Sequence, residues 1–441
     1  MNITVFFSSF FTSLMLIVVP VFSTLPPFVE IDDLILNLKE SPTLATQKQV
    51  AKLKNENRTI YNWGIGTSPF SPPECIVNTL RNYAHKKQYT PVEGIPELQQ
   101  ILSEKYSRNN YLIQQQNIIV SSGLKQIIFD IQRAWGGEIL LVSPYWVSYP
   151  VQTYLLQKRP QIIYTSAKDD YKLQPEQIKD YCQKSPSSAK LIIFNHPVNP
   201  TGCSYTDKEL KQLAKIFEEY GIVVLADEVY LGCGHGGDAR SISDYLPNNT
   251  IRASSLSKEF AAAGYRLGWA VFPESLSSLK KAVACIGSTS YSCAPVPQQY
   301  AAVKALESGI EICQYKRDVQ EIMKILGKDC YQKMIEIGLK CTLPKAAWYL
   351  LIDFEPYRVK LEKIGITNSQ HLSLALLDGI GFVTVPGEAF GLPPEQLAVR
   401  ASYVDFDGDF AIVSGPEKGS NTWAPKIHEC LEALESWIKS L

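Results

Sequence analysis

Between Ile118 and Phe272 the chain repeats one pattern: a short apolar run, a polar or glycine-rich turn, then a stretch with helical spacing. The apolar runs are Ile118–Val120, Ile139–Val142, Ile162–Tyr164, Leu191–Phe194, Ile222–Ala226, Thr250–Ala253 and Gly268–Phe272. Between them, Asp207–Tyr220 places Leu210, Leu213, Ile216 and Phe217 on one helical face. Strands that are apolar on both faces and separated by helices build a mainly parallel sheet. The expected fold class is therefore α/β: a large domain with a mainly parallel sheet flanked by helices, plus a smaller α/β domain. A long helical stretch, about Val296 to Ile337, should lead into that second region, which runs to Leu441.

The 441 residues correspond to two or three domains. With 45% hydrophobic and 20% charged residues, the chain is neither disordered, collagen-like nor polytopic in a membrane. Lys and Arg number 43 against 44 Asp and Glu, so no basic excess points to nucleic acid as a partner. The ten cysteines form no C-x-x-C pair, and the five histidines show no ligand spacing beside them. A structural zinc site is not expected, no other metal is called for, and the cysteines read as scattered thiols. Met1–Ser23 has no charged side chain and an apolar run, Leu14–Val19, ahead of small residues at Val21 and Ser23. It reads as a signal peptide or a hydrophobic N-terminal segment. If it functions, the chain enters the secretory route or stays membrane-associated; otherwise the cytoplasm is expected. Asn57-Arg-Thr and Asn248-Asn-Thr match glycosylation sequons, which chance also produces often.

Open parallel sheets bind ligands at the carboxyl ends of their strands, and the polar segments fall there repeatedly. Val120 is followed by Ser121-Ser-Gly-Leu-Lys-Gln126, and Phe194 by Asn195-His-Pro-Val-Asn-Pro-Thr-Gly202. Ala226 leads to Asp227-Glu-Val-Tyr230; Ala253 leads to Ser254-Ser-Leu-Ser-Lys-Glu259, with Tyr265-Arg-Leu-Gly268 just beyond. Any one of these is ordinary turn chemistry. Together they bring a carboxylate, a tyrosine, a lysine, hydroxyls and an arginine to one edge. That set suits pyridoxal 5′-phosphate, which needs a lysine amine, an anionic partner for its ring nitrogen and a phosphate cradle.

From about Ser41 onward, the ordered series of segments resembles the fold-type I, class I/II aminotransferases, the aspartate aminotransferase family. The resemblance implies a homodimeric transaminase divided into an N-terminal arm and part of the small domain at 24–60, a large cofactor-binding domain at 61–335 and a C-terminal small domain at 336–441. Lys258 matches the lysine that carries the cofactor as an internal aldimine and moves the α-proton. Asp227 matches the partner of the pyridine nitrogen, while Tyr230 and Asn199 match the groups that bond the phenolic oxygen. Ser255, Arg266 and the backbone of Leu124 and Lys125 would cradle the phosphate at a helix N-terminus. Tyr89 matches a tyrosine that reaches the phosphate of a neighbouring subunit, and Trp146 the aromatic that stacks on the ring. Arg400 matches the clamp for the substrate α-carboxylate, with Ile65-Gly66 beside it. The segment Trp63–Ser68 lacks the acidic residue usual after its second glycine.

The family's animal-type members read a distal carboxylate with a second arginine, but no arginine lies between Arg266 and Arg317. Gly123-Leu-Lys-Gln126 and Pro144–Tyr149 instead resemble a bacterial-type branch that uses a lysine, which nominates Lys125. Aspartate, glutamate or prephenate-like acids are the implied substrates, together with a 2-oxo acid, in a ping-pong exchange. Leu124, Lys345-Ala-Ala-Trp348 and the unusual segment Asp405–Ser420 depart from the family pattern and bear on substrate range. Two alternatives stay open within the fold: a transaminase for aromatic or other neutral amino acids, and a lyase or cyclopropane-carboxylate synthase-like enzyme. A non-catalytic ligand-sensing domain would need a DNA-binding module that the first 40 residues cannot hold.

Overall fold

All seven expected strands form, and they join one sheet. The computed structural model describes residues 33–36, 50, 58–108, 111–186 and 188–441. The strands are β1 (Ile118–Ser121), β2 (Glu138–Ser143), β3 (Gln161–Tyr164), β4 (Lys190–Asn195), β5 (Val223–Asp227), β6 (Thr250–Ser255) and β7 (Gly268–Val271). Their order is β1-β7-β6-β5-β4-β2-β3. The contiguous set β3, β2, β4, β5 and β6 is parallel, whereas β7 runs antiparallel to both β6 and β1.

Period-two alternation gives each strand two apolar faces. Ile119, Leu141, Ile193, Leu225 and Ile251 pack in one cluster. Their neighbours Leu140, Ile192, Phe194, Val224 and Ala226 pack in another. Each such buried aliphatic side chain contributes about 2 kcal/mol relative to exposure. Helix α1 (Leu124–Ala134) follows β1. Helix α2 (Asp207–Glu219) starts at a capping box, in which the Thr206 hydroxyl accepts from Glu209 N and the Glu209 carboxylate accepts from Thr206 N at 2.6 Å. Its apolar face, Leu210, Leu213 and Phe217, is buried.

The expected single helical stretch from Val296 to Ile337 is two helices, Val296–Leu306 and α3 (Ile310–Glu336). The break falls at Ser308, whose positive φ of 55° no α-helix accommodates, and at Gly309. Beyond α3 lies a four-stranded antiparallel sheet of β8 (Lys340–Cys341), β9 (Tyr349–Asp353), β10 (Val385–Pro386) and β11 (Ala398–Ser402), in the order β10-β11-β9-β8. Residues Glu40–Leu441 form one compact unit, and Asp33–Leu36 is a short helix. The apolar segment 1–23 and the Asn57 sequon lie outside the described residues; Asn248 is exposed. No helix among the described residues is long and apolar enough to cross a membrane. All ten cysteines are free, and no cluster of metal-ligating side chains occurs among the described residues.

Candidate active site

The carboxyl edge of the parallel strands opens into a cavity of about 350 Å³. Its lining includes Gly66, Leu124, Lys125, Trp146, Asn199, Asp227, Tyr230, Ser255, Lys258, Arg266 and Arg400. With Ile65, which also lines it, twelve of the thirteen residues singled out above therefore meet in one place. The exception is Tyr89, which is 86% exposed and lies outside this lining. Asp227 ends β5 and Ser255 ends β6, so both arrive at the edge directly. Arg266 arrives differently: β7 is antiparallel, so the residues before its start sit at the same edge as the ends of its neighbours.

Lys258 is half-buried, and its Nζ donates to Gly66 O at 2.5 Å. Burial pushes its ammonium down to about 8; nearby Arg400 and Arg266 act the same way, while Cys233 and Asp227 oppose. A lysine in that range is partly neutral near physiological pH and can act as nucleophile or base. Asp227 is pushed up to about 6 by burial, against hydrogen bonds from Tyr149 Oη at 2.5 Å and Val229 N at 3.3 Å. Burial likewise raises the Tyr230 phenol well above its usual value, with Tyr349 Oη only 2.5 Å from Tyr230 Oη.

Three features form a cradle for an anion. The amides of Leu124 and Lys125 open α1 after Gly123, whose φ is 103°. A Cβ at Gly123 would stand 2.4 Å from Arg266 Nη2, and one at Gly268 would stand 2.4 Å from Leu124 N. The two glycines therefore let the guanidinium and the helix start close on the same space, as phosphate binding requires. The Asn199 side-chain oxygen is buried without a hydrogen-bond partner, as a group awaiting a ligand donor would be. These features fit pyridoxal 5′-phosphate.

Arg400, in the middle of β11, is buried with a guanidinium that has no carboxylate partner among the described residues. Its Nη2 donates to Gly64 O at 2.6 Å, its Nε is unsatisfied, and it lies over the Tyr349 and Phe390 rings at 5.0 and 5.2 Å. A buried unpaired cation calls for an anionic ligand. Lys125 Nζ sits 5.0 Å from the centroid of the Trp146 ring. Desolvation, then Arg266, lowers its ionisation.

Tyr149, Tyr349 and Asn195 also line the cavity. Tyr149 and Tyr349 could have been singled out from Pro144–Tyr149 and from the residue after Trp348; a tyrosine beginning a helix or strand reads equally well as core. Segment Asp405–Ser420, expected to bear on substrate range, contributes nothing to the cavity lining. A larger cavity of about 660 Å³ lies at the amino end of β6. Its charges are largely satisfied internally, Arg252 by Glu228 at 2.7 Å and Arg108 by Asp244 at 3.4 Å.

The profile of the family described as "Aminotransferase class I and II" matches residues 58–405. The chain belongs to the class I and II aminotransferases. It is 32% identical over 371 residues to a probable aspartate/prephenate aminotransferase of Aquifex aeolicus, covering 81% of this chain and 90% of that protein. It is 31% identical over 382 residues to an aspartate aminotransferase of Bacillus subtilis, covering 83% and 92%. The fold is shared with the aspartate aminotransferase of Thermus thermophilus solved with maleate, at a TM-score of 0.80 and 24% identity, over 93% of this chain and all of that one. The aminotransferase is thus a fold-type I enzyme, a transaminase that uses pyridoxal 5′-phosphate.

Proposed function

We propose that this aminotransferase moves the amino group of an aspartate- or glutamate-type L-amino acid to a 2-oxo acid by a ping-pong mechanism. The observation that carries the reading is a pair of cations, exposed Lys125 and buried Arg400, lining one cavity of about 350 Å³ with no carboxylate partner for either among the described residues. A dicarboxylic substrate satisfies both, Arg400 taking the α-carboxylate as a bidentate fork and Lys125 the distal one. The names carried by the Aquifex and Bacillus relatives support the same substrate class.

Lys258 would hold the cofactor, Ser255, Arg266 and the Leu124 and Lys125 amides its phosphate, Asp227 its ring nitrogen, Asn199 and Tyr230 its phenolic oxygen, and Trp146 its ring face. Bound there, the cofactor supplies an electron sink for negative charge at the substrate α-carbon. Lys258 Nζ would take and return the substrate α-proton, and its lowered proton affinity suits both directions. Asp227 would keep the ring nitrogen protonated by its charge, and Tyr149 Oη, donating to Asp227 Oδ2, fixes the carboxylate. Arg400 orients the substrate so that its α-C–H faces Lys258. Tyr89, exposed and away from its own chain's cavity, supports an active homodimer in which it serves the partner's phosphate site. The division into 24–60, 61–335 and 336–441, and a targeting role for 1–23, belong to the same proposal.

The test is a panel of amino donors against 2-oxoglutarate. Lys125→Ala should lower kcat/KM for dicarboxylic donors about tenfold or more, the value of one charge-assisted contact, and leave neutral donors unchanged. An unchanged preference sinks the substrate reading. With donor alone, product should stop at one equivalent of oxo acid per subunit. Continued release of ammonia without an oxo acid would make the enzyme a lyase.

A further inference from the structure

Two carboxylates just beyond Arg400 grip both ends of the stretch that borders the cavity. Asp405 Oδ2 accepts from Asn62 N at 2.7 Å and pairs with Lys426 at 2.7 Å. Asp409, in helix α4 (Gly408–Ser414), accepts from Ser71 N at 2.8 Å and from Ser71 Oγ at 2.5 Å. Between these anchors the contact is close. The Phe70 and Phe406 rings meet edge to face at 6.0 Å, and a Cβ on Gly408 would lie 2.6 Å from Pro69 O.

The carbonyls of the held stretch point the other way, onto the chemistry. Trp63 O accepts from Ser402 N at 2.7 Å, Gly64 O from Arg400 Nη2 at 2.6 Å, and Gly66 O from Lys258 Nζ at 2.5 Å. Ile65, Gly66 and Thr67 line the cavity. Gly66 has no room to shift sideways, because a Cβ there would meet Tyr349 Oη at 2.5 Å.

We infer that Asp405 and Asp409 are positioning residues. They clamp Asn62–Ser71 so that Gly64 O and Gly66 O set the orientation of the Arg400 guanidinium and the Lys258 amine. The inference rests on the proposed roles of Arg400 and Lys258, and it gives the segment Asp405–Ser414 a function that its distance from the cavity lining hides. Misplacing a binding group by an ångström costs up to a hundredfold in rate, and rigid support is what prevents it. Because both contacts are made by carboxylate oxygens accepting from N–H or O–H groups, geometry rather than charge matters at Asp409. An amide there can accept from Ser71 N and donate to Ser71 Oγ.

The experiment compares holoenzymes of the parent, Asp409→Ala, Asp409→Asn and Val413→Ser. Val413 lies on the same helix, 85% exposed, and serves as control. Two quantities are read: KM against kcat for the amino donor, and amide hydrogen exchange of the peptide covering residues 62–71. Asp409→Ala should raise KM and lower kcat, each about tenfold, because Arg400 and Lys258 both lose their orientation, and speed exchange in that peptide. Asp409→Asn should restore both, and Val413→Ser should match the parent. Folded Asp409→Ala with parental exchange, or with parental KM and kcat, would overturn the clamp. Arg400→Lys run alongside separates the two readings. If it leaves KM unchanged, the carboxylate role of Arg400 fails, whereas the exchange result judges the clamp by itself.

Discussion

Lys258 shows how burial becomes reactivity and how it costs stability. Its amine is held down to about 8 in the folded chain against an ordinary 10.5. Between those values the unfolded chain binds more protons than the folded one, so this residue makes stability rise with pH across that window. Below pH 8 the full penalty applies, about 3 kcal/mol for a shift of this size. In the cofactor-free protein, Lys258→Met should therefore raise unfolding stability by about 3 kcal/mol at pH 7. The gain should vanish near pH 10.5, and urea titrations at the two pH values check it. A gain that persists at high pH would mean that the ammonium is not what burial penalises. At this scale the polar residues of the cavity were legible: Lys258, Asp227, Arg266 and Arg400 each stand in a polar segment that breaks an apolar pattern. Tyr149 and Tyr349 were not, because their hydroxyl partners, Asp227 and Tyr230, lie 78 and 119 residues away.

The start of α1 illustrates a requirement shared between elements. Gly268 opens β7 beside β6, yet the atoms a side chain there would strike belong to Gly123 and Leu124. These are backbone atoms, which cannot swing aside as a side chain could. Gly268→Ala should displace the first turn of α1 and weaken cofactor binding about tenfold or more, measured as the dissociation constant by absorbance. Retention within twofold would show that the α1 amides are not part of the phosphate cradle. The strands and the helix Asp207–Glu219 could be located in advance to within a residue or two, because periodicity of two or 3.6 is a local property. The interruption at Ser308–Gly309 is also local, but a single residue at positive φ leaves no periodic trace.

At the scale of the whole molecule, Tyr89 stands exposed, outside the cavity lining of its own chain. A homodimer predicts twice the chain mass by light scattering in solution. It also predicts that Tyr89→Phe weakens cofactor binding by roughly ten- to a hundredfold, the value of one hydrogen bond to a charged group, without altering folding. A monomer with full activity would remove Tyr89 from the site. The seven strands and the four-stranded sheet after α3 belong to one unit, Glu40–Leu441, and Trp348 and Tyr349 share a cluster with Ile193 and Leu225.

Residue order alone specified the α/β class, the strand positions and the edge at which the polar segments converge, because alternation and strand-end chemistry are written in consecutive residues. Three things depended on the folded chain: that β7 runs backwards and so delivers Arg266 to the common edge, that Lys125 and Arg400 share one cavity across 275 residues of sequence, and that Asp405 and Asp409 brace Asn62–Ser71. Each is a contact between segments far apart in the chain. Such contacts are selected by which surfaces can be buried together, and no local pattern encodes them.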